Sequence, residues 1–137
     1  MPLVLIPDVE ALAIGYLKAH ASITPLVGTR VSSVLPANPT YPYLQVILVA
    51  GVEKSPGHLD EAYLQVDAWG TTRDEANLLI RTVRAVLLVS PTVTHTRGVV
   101  AYARTVSPPR WVPDDTVTPP RPRYTIDLSM SLHPHLL

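Results

Sequence analysis

The sequence predicts an α+β fold, a mostly antiparallel β-sheet of four to five strands packed by two helices on one face. Three observations lead there. YTIDLSMSL, residues 124–132, alternates apolar and polar side chains with period two, the pattern of a half-buried antiparallel strand. TTRDEANLLIRTVRAVLLVS, residues 71–90, repeats Ala76, Leu79, Ile80, Val83 and Leu87 at helical spacing. The other apolar runs are joined by turns, which favours antiparallel neighbours, and helices on one face then cover the apolar side.

Each element has a local cause. Asp8 follows Pro7 and reads as the N-cap of a helix from about Asp8 to His20, with Val9, Leu12, Ala13, Tyr16 and Leu17 at helical spacing and Gly15 as its weak point. SITPLVGTRV reads as a turn or one-turn helix ending at Gly28, then a short strand near Arg30 to Val34. LPANPTYP is a proline-punctuated loop, and PYLQVILVAG gives a strand from about Tyr43 to Ala50, apolar on both faces and therefore central. GVEKSPGHLD reads as a turn or loop. EAYLQVDAWG gives the next strand, about Glu61 to Trp69. Leu64, Val66 and Ala68 face one way; Tyr63, Gln65, Asp67 and Trp69 form a mixed face open to water or a partner. Thr72 and Glu75 make a capping box for the long helix, the Glu reaching back to the cap amide, and Ser90 and Pro91 end it. A strand spans about Gly98 to Val106, and the tail HPHLL reads as frayed.

The 137 residues fit one domain, large enough for a core without staples. The chain has no cysteine, which excludes disulfides, thiolate metal sites and cysteine nucleophiles. Its formal net charge is zero, against a strong nonspecific grip on nucleic acid. Nine of the eleven cationic residues are Arg, which suits planar contacts at protein interfaces. No apolar run reaches the ~18–20 residues that span a bilayer, and MPLVLIPDVE lacks the basic start of a signal peptide, so cytoplasmic synthesis without a membrane partner is expected.

No reaction is written in these residues. The six glycines make no phosphate loop. His133 and His135 flank Pro134 but are two ligands at a frayed end, and His58, Asp60 and Glu61 read as a solvated turn. Asp114 and Asp115 lack the further oxygens that a divalent ion needs. The expectation is a non-enzyme with no cofactor and no metal. Asp67 and Asp127 read first as the polar face of the sheet, with pairing to Arg104 or to a neighbouring subunit as the functional alternative.

The segment SPPRWVPDDTVTPPRPR, Ser107 to Arg123, holds six prolines and three arginines. A loop beyond about 12–15 residues in a compact domain is usually functional or disordered. It reads as a projecting loop whose anchors are Arg110, Trp111, Arg121 and Arg123, with Asp114 and Asp115 at its turn. Trp111 is weighed evenly between docking a partner and folding back onto its own domain. Asp67 and Trp69 complete the candidate interface.

HLDEAYLQVDAWGTTRDEANLLIRTVRAVL, residues 58–87, resembles the small tail-completion, or tail-terminator, proteins of long-tailed bacteriophages. The matching pieces are Leu64 to Trp69, Glu75 to Ala76 and Val83 to Leu87, with LVGTRV at Leu26 to Val31 and the Pro42-Tyr43 opening of the next strand. Two departures stand out, the proline-rich segment before the last strand and Ser32 where an aromatic is common. The resemblance implies an α+β fold and a structural role in the virion. The chain would form a homo-oligomeric ring, usually a hexamer, that caps the tail tube, ends its polymerisation and joins it to the head-side connector. Its partners would be itself, the tail tube protein and the connector or stopper protein, with passing contact to DNA in the lumen. The alternatives are a head-side stopper or other neck protein, and a small ligand-binding or enzymatic domain.

Overall fold

The structure, a computed structural model, describes residues 3–96 and 98–136. In chain order its elements are β1 (Val4–Leu5), α1 (Val9–Ala19), α2 (Thr24–Val27), β2 (Val31–Ser32), β3 (Tyr43–Ser55), β4 (Leu59–Trp69), α3 (Arg73–Leu88), a 3-10 turn (Ser90–Thr92), β5 (Val99–Trp111), β6 (Arg123–His133) and β7 (His135–Leu136). Five strands form one sheet in the order β2-β3-β4-β6-β5. All its pairings are antiparallel except β2 with β3, which is parallel because the chain returns through residues 33–42 before β3 begins. This is the α+β class expected.

Alternation decides which side is the core. Leu64, Val66 and Ala68 of β4 meet Leu128, Ile126 and Tyr124 of β6 in register, and all face the helices. α3 lays Ala76, Leu79, Ile80, Val83 and Leu87 on them, and α1 adds Leu12, Ala13 and Leu17. Leu64 and Leu128 are fully buried, so truncating either to Ala would cost about 2–5 kcal/mol.

The caps form with one change. Asp8 Oδ1 accepts from the Ala11 amide at 3.1 Å, and Thr72 Oγ1 accepts from the Glu75 amide at 3.1 Å. Glu75 reaches past the cap residue to the Thr71 amide at 2.8 Å and also takes the Thr71 hydroxyl. The turn from β4 into α3 needs Gly70, because a Cβ there would lie 2.8 Å from both the Ala76 amide nitrogen and the Thr72 carbonyl oxygen.

The strands run longer than their hydrophobic patterns. β3 and β4 continue to a tight turn at Pro56-Gly57-His58, so GVEKS and LD belong to strands rather than to a loop. Gly57 supplies the positive φ of that turn, +70°. The tail is also not frayed as far as Leu136: β7 pairs antiparallel with β1, Leu5 opposite His135, which gives two short apolar ends a common partner.

Candidate interaction surface

The segment 107–123 is a hairpin arm rather than a loop. Ser107 to Trp111 belong to β5 and Arg123 opens β6. Beyond them the ladder continues: the Val112 amide donates to the Arg123 carbonyl at 3.0 Å, and Asp114 and Arg121 exchange both backbone hydrogen bonds at 2.9 and 3.0 Å. Pro113 and Pro122 sit between these pairs, where no amide hydrogen is needed. Pro108 and Pro109 are tolerated because β5 is an edge strand, and the register shifts between Ser107 and Arg110. Only residues 115–120 form the turn, and all of them are exposed.

Arginine–aromatic stacks fix the base of this arm from both faces. On the helix side the Arg73 guanidinium lies 4.4 Å over the Trp111 ring, and Arg73 Nε donates to the Tyr124 hydroxyl at 3.1 Å. The Trp111 and Tyr124 rings are 5.2 Å apart. On the opposite side Arg123 lies 4.7 Å over Trp69, and Arg121 lies 4.3 Å over Tyr41. Arg123 Nε also donates to the Val112 carbonyl at 2.7 Å. Each contact is worth about 0.5–1 kcal/mol where exposed and more where water is excluded.

The expected anchor residues are therefore engaged within the chain. Trp111 is half-buried against the core. Arg110 bridges to Asp127 at 3.1 Å and donates to the Ser107 hydroxyl. Asp114 shapes the turn: its Oδ1 accepts from the Thr116 amide at 3.0 Å and the Thr116 hydroxyl at 2.6 Å, and these bonds hold its carboxyl below the usual range. Asp115 stays exposed.

Asp67 and Trp69, expected at the interface, are each only 4% exposed within the single chain. Asp67 accepts from the Thr125 hydroxyl at 2.7 Å and from Gln65, so its carboxylate is satisfied inside the sheet. Arg104, the partner weighed for it, lies 3.6 Å from Glu61 instead. Trp69 lies beneath Arg123, with the Tyr41 ring 6.3 Å away.

Sequence reasoning missed Arg73 and Tyr41. No spacing rule links the first turn of α3 to a tryptophan nearly forty residues later. The solvated-turn reading of Glu61 is corrected: it lies in β4 as a buried carboxylate that takes the Tyr63 hydroxyl and lies 3.7 Å from Lys54. The Tyr63 hydrogen bond is the main reason its carboxyl is held below the ordinary range; Lys54 and Arg104 add to that and burial opposes it. Such a group is ionised at neutral pH and acts as a counter-ion, not as a proton donor. Among the described residues no group of three or more His, Cys, Asp or Glu side chains is placed to hold a metal ion.

Both edges of the sheet are incomplete. β2 pairs with β3 only at Leu44 and Gln45, leaving the rest of β3 without an outer neighbour strand. β5 closes the other side. The surface thus offers unpaired backbone, a stiff arm and paired charges.

The comparisons with known proteins agree in kind. No curated protein matches. A chain from the solved virion of the native gene transfer agent (GTA) particle is similar over 91% of this chain and 94% of its own, with a TM-score of 0.66 and 17% identity, a likeness of fold. The family of tail completion protein gp17 matches residues 14–118, from within α1 into the turn of the arm. The chain belongs to the tail completion protein gp17 family and is a structural component of a phage-type tail.

Proposed function

We propose that the protein forms a ring, of six copies, at the head-proximal end of the tail tube, where it ends tube polymerisation and joins the tail to the head-side connector. The observation that carries this reading is the family match lying on a single-core domain whose sheet is unpaired at both edges. A sheet with two unlike open edges suits a contact in which one patch meets a different patch on the next copy, and such contacts form rings when the rotation from copy to copy closes. The turn 115–120 of the arm, with Asp115, is the part left to meet the tube or the connector. The neutral net charge suits a ring through which DNA passes without being held.

The test is electron microscopy of particles assembled with and without the protein. Overlong or headless tails in its absence, and a ring of density at the head-proximal tail end in its presence, are the expected results. Tails of normal length with unattached or leaking heads would assign it to the stopper position. Absence of density from every particle would reject the reading.

A further inference from the structure

The two free edges of the sheet differ in chemistry. On β3 the Leu48 amide is taken by Glu10 Oε2 at 2.7 Å, and beyond it every residue from Val49 to Lys54 is exposed. The groove between this edge and the chain entering α1 is lined by Asp8, Glu53, Asp60 and Glu61. Lys54, at the end of the edge, and Arg104 bridge to Glu61, so Asp8, Glu53 and Asp60 are the acids left without an ion-pair partner among the described residues. Val52 lies in it, 51% exposed.

The β5 edge is basic. Tyr102, 53% exposed, and Val106 stand on it with Arg104 between them, Arg104 bridging to Glu61 of its own chain, so the unpaired cations of this side are Arg81 and Arg84 of α3. On the helix side Arg84 Nε donates to the Thr105 hydroxyl at 3.2 Å, and Arg81 lies one turn back on the same stripe of α3. Among the described residues neither Arg81 nor Arg84 bridges to an acid. Pro108 and Pro109 end the usable edge, because they carry no amide hydrogen. Each edge thus offers at least six consecutive residues, Val49 to Lys54 on β3 and Tyr102 to Ser107 on β5.

Strand direction fits as well. β3, β4, β6 and β5 alternate in direction across the sheet, so β5 runs opposite to β3. A second copy added in the same orientation therefore brings its β5 antiparallel to the first copy's β3.

We propose that the β3 edge of one copy receives the β5 edge of the next, acidic groove against arginine stripe, in a head-to-tail contact. This rests on the ring reading above and names the two patches that make the ring. The pairing satisfies backbone groups that both edges leave open. The charges select the partner, because two β3 edges would bring acids together and two β5 edges would bring arginines together.

The absence of cysteine makes the test direct. Val52→Cys and Tyr102→Cys would be made singly and together, and a short thiol-specific cross-linker applied to purified protein and to assembled tails. The double variant should give a covalent ladder ending at the copy number of the ring. Each single variant should stay uncrosslinked, and a mixture of the two should give covalent dimers and nothing larger. Covalent dimers from a single variant alone would overturn the proposal in favour of like-with-like contact. Rings without a ladder from the double variant, with both thiols still open to a small reagent, would overturn it while leaving the ring reading intact. Monomer throughout, on tails as well as in solution, would remove both.

Discussion

Two hairpins of this molecule invert what their sequences promise. The β5–β6 arm carries six prolines in 17 residues, yet hydrogen bonds pair its strands beyond Trp111 and arginine–aromatic stacks hold its base from both faces. The outer half of the β3–β4 hairpin is VAGVEK, of ordinary strand composition, yet every residue of that stretch is exposed. The difference lies in what each hairpin packs against. The arm has Arg73 and Tyr124 on one side and Trp69 and Tyr41 on the other. The outer β3 edge has backbone hydrogen bonds to β4 on one flank and an open groove on the other. Order in a surface hairpin follows its contacts, and composition reports those poorly.

The contrast is sharpest in truncations. Trp111→Ala should destabilise the domain by about 2–3 kcal/mol, somewhat less than a fully buried tryptophan costs. Val52→Ala should stay within about 0.5 kcal/mol, as an exposed substitution does. Urea unfolding of the two variants at equal concentration reads both. Similar losses would mean that the two hairpins are equally anchored. Next in size, a double-mutant cycle between Arg73→Ala and Trp111→Ala should return a coupling of about 1 kcal/mol, whereas Arg81→Ala with Trp111→Ala should add independently.

Acid should weaken the outer half of the β3–β4 hairpin first, where Glu61 lies opposite Val52. Glu61 has a lowered folded pKa, so its contribution is fully present above the ordinary carboxylate value of about 4.3 and is lost as pH falls through the lowered folded value. Thermal melts across that window should show the wild type losing stability more steeply than Glu61→Gln. Equal slopes would mean that Tyr63, Lys54 and Arg104 do not favour the ionised form. The smallest expected effect is that of Asp115→Ala, within about 0.5 kcal/mol of wild type in urea and yet defective in joining tails to heads if the turn meets the tube or connector. Normal joining would remove the turn from that contact.

The elements that read correctly from sequence are those with a local cause. Asp8 and Thr72 cap helices with their own side chains, α3 carries its stripe in one continuous run, and β6 alternates without a break. The boundaries that moved depend on partners remote in sequence. Proline at 108 and 109 looks like a strand breaker until β5 is known to be an edge, and only the sheet order establishes that. The segment 107–123 drew attention as a candidate interface because it joins Trp and Arg in a stiff stretch. What the sequence could not disclose is that Arg73 and Tyr41, both outside it, complete the stacks that hold it. Asp67 and Trp69 sat on a face that looked open because the side chains covering it come from β6 and residue 41.

The most direct measurement is a reconstruction of the head–tail junction from intact particles, at a resolution that separates side chains. It should show a ring of this chain with Trp111 still stacked under Arg73 and each Val49–Lys54 edge covered by Tyr102–Ser107 of the next copy. A junction in which the arm has swung off its own domain while the β3 edge faces solvent would contradict the account.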